Sequence, residues 1–168
     1  MDNTSKKIMQ SFVEKYLEDK KLTILDVGSF NVNGSYNRYF QNPKWKYTGA
    51  DIVDGKNVDV VFKEPYNWQF KDNSFDVVIS GQTFEHIEYP WLTIKEIERV
   101  MKPGGVGCII APSEGYEHRY PLDCWRFMPD GFRALAKWAG LEVIDVYKED
   151  NNIWKPLILI FKKHDSKF

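Results

Sequence analysis

The sequence predicts an α/β domain built on a mostly parallel sheet, and three observations carry that prediction. Leu22, Ile24, Leu25 and Val27 form a nearly continuous apolar run ending on Gly28, as a strand buried on both faces does. Asp26 interrupts the run two residues before its end, where a carboxylate meets the loop that follows. Further short apolar runs at 45–51, 75–80 and 106–111 alternate with stretches of helical spacing.

At 168 residues the chain suits a single domain able to bury a substantial core, and no second domain is expected. Its net charge of -1, with both signs mixed along the chain, disfavours nucleic acid as a partner. Cys108 and Cys124 lack Cys-x-x-Cys spacing and no secretory leader is recognised, so a cytoplasmic location is expected. No apolar run approaches about 18 residues, so no membrane span is expected.

Within residues 4–20, Ile8, Met9, Phe12, Val13, Tyr16 and Leu17 recur at helical spacing, with Thr4 or Ser5 as cap. This helix packs on the sheet, or also borders a ligand cleft as a lid. After the first strand, a dinucleotide loop would require Gly-x-Gly-x-x-Gly, but its second and third glycine places hold Phe30 and Asn33. A pyrophosphate would meet a phenyl ring, and Gly-Lys-Ser/Thr is absent from the chain. What remains is a nucleoside site for a ligand without phosphates, of which S-adenosylmethionine is the common example.

A short helix fits 35–41 before Asn42-Pro43 breaks it. The second strand, 45–51, ends on Asp51, 23 residues beyond Gly28, where an acid binds ribose hydroxyls or, alternatively, caps a turn. A third strand spans 57–62, and the loop behind it carries Tyr66 and Trp68, either an adenine wall or a cap on the core. The fourth strand, 75–80, leads through Gly81 to His86 to a helix opened by Pro90. Trp91, Ile94, Ile97, Val100 and Met101 supply its buried face, and Lys102-Pro103-Gly104-Gly105 stops it.

The fifth strand, 106–111, precedes a loop over 112–128 that is dense in ionisable and aromatic residues; loops of that length are usually functional or disordered, and Tyr116, Tyr120 and Trp125 argue against disorder. A last helix over 129–139 turns Phe132, Leu135, Ala136 and Trp138 inward and stops at Gly140. Residues 141–147 and 157–161 form an antiparallel hairpin at the sheet edge, followed by a solvated tail from Lys162 in which His164 has no role.

Ile-Leu-Asp-Val-Gly-Ser at 24–29, Gly-Ala-Asp-Ile at 49–52, Ser-Phe-Asp-Val-Val-Ile-Ser at 74–80, Phe-Glu-His-Ile at 84–87 and Arg-Val-Met-Lys-Pro-Gly-Gly at 99–105 follow in order. In this combination the chain resembles small bacterial class I S-adenosylmethionine-dependent methyltransferases of the type 11-like domain. The resemblance implies a Rossmann-like, three-layer αβα fold whose seven-stranded sheet has order 3-2-1-4-5-7-6, with strand 7 antiparallel. It divides 1–168 into an N-terminal helix (1–21), a cofactor-binding half (22–112), an acceptor loop (113–128), and the last helix with its hairpin (129–163).

The resemblance places Asp26, Gly28 and Ser29 at the methionine end of the cofactor and Asp51 at its ribose. It places Ile52 on the adenine face, with Ser80, Gly81 and Gln82 as the floor. Tyr66 is added as an adenine contact. Two positions depart from the family pattern: Phe30 replaces a loop glycine, and Lys63 stands where an acid often binds the adenine amine, leaving Glu64 or backbone to do so.

Methyl transfer needs an acceptor aligned with the C–S bond and a sink for its proton. Groups for this must lie on the loops after strands 4 and 5. His118 is the expected base, since imidazole takes a proton near neutral pH, with Asp123 as its neighbour and an alternative structural role for both. Arg119 and Arg126 form an oxyanion fork or else salt bridges to Glu117 and Asp123, and His86 and Tyr120 join them at the acceptor. No metal is expected; the alternative metal set is Glu85, His86, Glu117 and His118.

The predicted activity is O-methylation of a small anionic or sugar-type acceptor, such as a nucleotide sugar, surface glycan or phosphate-bearing intermediate, by a monomer or weak homo-oligomer. Polysaccharide modification is the process this suggests. A methyltransferase-like fold that binds without catalysis is the second hypothesis, and a nicotinamide oxidoreductase, disfavoured by Phe30 and Asn33, is the third.

Overall fold

The computed structural model describes residues 3–165. The chain runs α1 (Asn3–Tyr16), β1 (Leu22–Val27), β2 (Trp45–Asp51), β3 (Val60–Val61), β4 (Phe75–Gly81), α2 (Pro90–Val100), β5 (Met101–Pro112), α3 (Pro129–Ala139), β6 (Leu141–Lys148) and β7 (Pro156–Lys163). Single 3-10 turns at Asn37–Tyr39 and Phe84–His86 follow β1 and β4. The strands form one seven-stranded sheet of order β3-β2-β1-β4-β5-β7-β6. Strands β1 to β5 pair in parallel, and β7 runs antiparallel to both β5 and β6. This is the order and polarity that the motifs predict.

Alternation along the strands sends successive side chains to opposite faces. Ile24, Val77, Ile79 and Cys108 meet Ile8, Met9 and Phe12 of α1 on one face. Leu25, Val78 and Ile109 meet Ile94 and Ile97 of α2 and Phe132 and Ala136 of α3 on the other. The result is the expected three-layer arrangement. Gly140 ends α3 in the left-handed conformation (φ 81°), its N–H donating to the carbonyls of Ala136 and Lys137.

Several local expectations are corrected. Helix α1 stops at Tyr16 rather than 20, the short helix over 35–41 contracts to its central turn, and β3 contracts to two residues. Helix α2 ends at Val100 because Met101 is already extended and pairs with Phe75. Lys102 to Gly105 therefore lie inside β5, where the register slips against β4, instead of terminating the helix. Trp91 is 38% exposed, and Pro90 and Thr93 take its place in the buried stripe. Trp138 is 59% exposed under Lys95, because the stripe through Phe132, Ala136 and Ala139 points the other way.

Lys162 and Lys163, expected in a solvated tail, close β7, with Lys163 bound to Glu98. Residues 166–168 of that tail lie outside the described residues. No helix among the described residues is long and apolar enough to cross a membrane.

Carboxyl ends of β1, β2 and β4 share one edge of the sheet, as parallel pairing requires. The loops leaving them meet there, at the crevice where α/β sheets take ligands. Phe132 is fully buried and stacks on Phe127 with ring centroids 4.8 Å apart. Phe132→Ala is expected to cost about 3–5 kcal/mol in urea denaturation, whereas Trp138→Ala should stay within about 1 kcal/mol of wild type.

Candidate functional site

The site is built in two halves. The first opens above β1, as a cleft lined by Asp26, Gly28, Ser29, Phe30, Gly81 and Gln82 among others. Gly28 has φ +78°, and a Cβ there would stand 2.2 Å from Thr83 Oγ1. The glycine is thus required by the turn and by the close approach of the loop after β4. Phe30 does not fill the place of the missing glycine: its ring packs on Gly55, where a Cβ would meet it at 2.3 Å.

Asp26 is 2% exposed, and its Oδ2 accepts a 2.5 Å hydrogen bond from Tyr47 Oη. Burial pushes its carboxyl up to about 7, the Tyr47 hydrogen bond opposing and the nearby Asp51 charge assisting. Tyr47 is in turn held by Asn57, whose Nδ2 donates to Tyr47 Oη at 3.1 Å and to the Ser29 carbonyl at 3.0 Å. Ser29 Oγ donates back to the Asn57 carbonyl. Tyr47 and Asn57 were not foreseen; an odd-position tyrosine in a strand and an asparagine in a Gly-Lys-Asn turn carry no distinctive signal.

Asp51 ends β2 with its Oδ2 accepting from Phe30 N (3.0 Å) and its Oδ1 from Ile52 N (2.7 Å) and Val53 N (3.3 Å). It is half-buried and ties the β1 loop to the β2 loop, and these bonds leave about one of the carboxylate's acceptor positions open. Ile52 stands beside it, 54% exposed.

The second half lies past Thr83. Glu85 and His86 sit on the turn Phe84–His86, and the loop 113–128 is fastened over them: Cys124 N and Trp125 N both donate to the Glu85 carbonyl, at 2.7 and 3.1 Å. Trp125 Nε1 donates to the Ile87 carbonyl. Within the loop, Asp123 receives both Nη atoms of Arg126, at 2.6 and 2.9 Å, and the His118 backbone N–H at 2.7 Å. The Arg126 guanidinium holds the Asp123 carboxyl well below the usual carboxylate range.

The Glu85 side chain is fully buried, and burial pushes its carboxyl up to about 8. His86 Nε2 lies 3.6 Å from Glu85 Oε1, and His86 Nδ1 bonds the Leu122 carbonyl at 2.5 Å. Burial lowers the pKa of this imidazole, with the Leu122 carbonyl opposing. The ring of His118 stands edge-on to His86, centroids 4.9 Å apart, with Asp123 Oδ2 3.5 Å from its Nδ1.

Of the residues expected at the cofactor, Asp26, Gly28, Ser29, Gly81 and Gln82 line the cleft, and Ser80 and Tyr66 do not. Ser80 is fully buried and donates to the Val27 carbonyl, joining β4 to β1 beneath the floor rather than facing the cleft. Tyr66 packs against Tyr89 at 5.5 Å, apart from the lining of the cleft. Of its neighbour Trp68, left open between adenine wall and core cap, the structure makes a cap: it is 3% exposed and stacked on Phe62 at 4.6 Å.

The oxyanion fork of Arg119 and Arg126 is not formed; the salt-bridge alternative is. Arg126 is spent on Asp123 and on the carbonyls of Tyr116 and Trp125, while Arg119 pairs with Glu117 in solvent. Tyr120 is 54% exposed on the loop. Of the four alternative metal ligands, Glu85, His86 and His118 come together and Glu117 does not.

A family model described as methyltransferase domain matches residues 25–109. An uncharacterized methyltransferase of Schizosaccharomyces pombe is 42% identical over a segment covering 44% of this chain and 32% of that protein. The chloroplastic 2-methyl-6-phytyl-1,4-hydroquinone methyltransferase 1 of Oryza sativa subsp. japonica is 26% identical over 70% of this chain and 32% of its own length. The chain thus spans about a third of the length of these curated relatives. Among solved structures, it is similar to a Burkholderia thailandensis 1,6-didemethyltoxoflavin-N1-methyltransferase with 1,6-didemethyltoxoflavin and S-adenosylhomocysteine bound. The TM-score is 0.76 at 16% identity, covering 98% of this chain and 80% of that one, a likeness of fold.

Because the folded-state pKa of Asp26 lies above its unfolded value of 3.8, the native state binds the extra proton between the two. Stability then falls as pH rises from about 4 to about 7, with a slope of at most about 1.4 kcal/mol per pH unit. Asp26→Asn should flatten that part of the profile. Urea denaturation of both proteins across this range checks it; parallel profiles would show that Asp26 is ionised throughout.

Proposed function

The chain belongs to the methyltransferase domain family, and from that membership we propose that it transfers the methyl group of S-adenosylmethionine to an oxygen of a small, sugar-type acceptor. The observation that carries this reading is the arrangement along one sheet edge: two carboxylates around a cleft, then an acid–imidazole cluster under a fastened loop. The cofactor supplies a methyl group on a sulfonium, already activated, so the protein has to align the acceptor and dispose of its proton.

The cleft fits this cofactor by its donors and its shape. Gly28 leaves no Cβ between the loop and the β4 turn, and Asp26 offers a buried carboxyl that a cationic group recharges. Asp51 presents a half-buried carboxylate to a ribose diol. On the far side of Thr83, the Glu85–His86–His118 cluster receives the acceptor, and Asp123 positions His118 by accepting from its backbone N–H. Phe30 in place of a second glycine speaks against a pyrophosphate and so against nicotinamide chemistry.

Sugar-type acceptors are favoured over simple anions because Arg119 and Arg126 are already paired. A row of aromatic rings, Tyr66, Tyr89, Trp91 and Trp125, borders the cluster with centroids 5.5, 5.7 and 6.2 Å apart. Tyr89, Trp91 and Trp125 are 45%, 38% and 39% exposed, faces on which a sugar ring stacks. Surface-glycan or nucleotide-sugar precursors have that chemistry.

Calorimetric titration with S-adenosylhomocysteine tests the cofactor assignment, and absence of binding would end it. Asp51→Ala should weaken that binding by about 10–100-fold, since charge-assisted hydrogen bonds are worth about 1.5–3 kcal/mol, and it should also lower stability through the three lost loop bonds. With methyl-labelled cofactor and sugar acceptors, His118→Ala should chiefly lower kcat, Trp125→Ala should chiefly raise acceptor KM, and both should keep cofactor affinity near wild type. Loss of cofactor affinity in both variants would place this loop at the cofactor instead.

A further inference from the structure

We propose that Glu85, His86 and His118 form a site for a divalent transition-type cation on the acceptor side of the cleft. One ligand atom from each residue lies within 4.8 Å of the others, the one such group among the described residues. That alone makes a cluster. The independent observation is the state of Glu85: its side chain is fully buried, and neither carboxylate oxygen has a hydrogen-bond partner. Buried carboxyl groups ordinarily hold donors, so a carboxylate without one, an oxygen of which lies within 4.8 Å of a nitrogen of each imidazole, points to a ligand for this cluster.

The surroundings are those of a ligand set. The Leu122 carbonyl only accepts, so His86 Nδ1 carries the proton and Nε2, 3.6 Å from Glu85 Oε1, presents its lone pair. A backbone carbonyl on the far nitrogen is how ligand imidazoles are oriented. Asp123 stands beside His118, its Oδ2 3.5 Å from Nδ1 and itself anchored by Arg126. His118 packs on Trp154 at 4.6 Å, which limits the swing of its ring.

Two imidazoles and one carboxylate suit zinc and its first-row neighbours, whereas magnesium and calcium take oxygen donors. Three protein ligands leave a position open, as in catalytic rather than structural zinc sites. With metal–ligand distances of about 2.1 Å, ligand atoms stand no more than about 4.2 Å apart, so binding draws this set slightly inward. Glu117, 65% exposed and paired with Arg119, is not part of it.

The role of the ion rests on the methyl-transfer reading; the site does not. An acceptor hydroxyl in the open position becomes more acidic. Its O–H bond breaks with the proton passing to water, its lone pair forms the bond to the methyl carbon, and the C–S electron pair returns to sulfur.

The full chain, dialysed against a chelator, is titrated with Zn²⁺ by calorimetry and with Co²⁺ by visible absorption. One ion per chain is expected, with Co²⁺ bands of an imidazole-containing site. Glu85→Gln, His86→Ala and His118→Ala should each weaken Zn²⁺ by more than about 100-fold, beyond what loss of an outer partner costs, and Glu117→Gln should bind as wild type. S-adenosylhomocysteine affinity in the same samples reports whether each variant is folded. Wild-type protein that takes up cofactor product but neither ion overturns the site, as do folded variants that keep wild-type Zn²⁺ affinity. If no variant folds, the wild-type Co²⁺ spectrum decides alone, and a spectrum of hexa-aquo Co²⁺ overturns the site. Zn²⁺ uptake without S-adenosylhomocysteine binding would instead remove the methyl-transfer reading and leave the site standing.

Discussion

The parallel register of β1 on β4 is the constraint on which both halves of the site depend. Ile24 pairs with Val77, Leu25 with Val78 and Asp26 with Ile79, and Ser80 Oγ locks the pair by donating to the Val27 carbonyl. That register brings Gly28 against Thr83, so the cofactor loop and the turn bearing Glu85 and His86 share a wall. A slip of one residue would exchange the faces of Ile24 and Leu25 and unpack both cores at once. The site is therefore held in place by the burial of the whole sheet.

Two acids are buried on either side of that wall, and they are satisfied differently. Asp26 is compensated inside the fold by Tyr47, which Asn57 holds in place. Glu85 has no such donor, although its own backbone carbonyl anchors the loop above it. A chain that folds around an unsatisfied carboxyl keeps an unfavourable interaction that something else must offset. The contrast separates a group that organises a loop from one that awaits a ligand.

Loop 113–128 has the length of a mobile segment and the contacts of a fixed one. The Asp123–Arg126 pair is bidentate and shielded, with side chains 3% and 22% exposed, so it is screened less than a surface pair. Together with the bonds of Cys124, Trp125 and His86 to neighbouring turns, it positions His118 before any acceptor arrives. The arginine that looks from the sequence like a ligand for anions is an internal strut.

Much of the frame was legible in the residues themselves. The strand pattern around Asp26, the bounds of β2 and α3, and the antiparallel final hairpin follow from periodicity, proline and glycine placement, which act over a few residues. The polarity of the sheet then put Asp26, Asp51 and the 113–128 loop on one edge. Which partner each side chain takes was decided only by tertiary structure. Ser80 turning to Val27, Arg126 to Asp123, and Glu85 meeting His118 across 33 residues of chain all depend on how β4 and β5 set their loops side by side. Local sequence cannot encode such distances, because a hydrogen bond or a ligand set is a relation between segments that only packing of the sheet brings within reach.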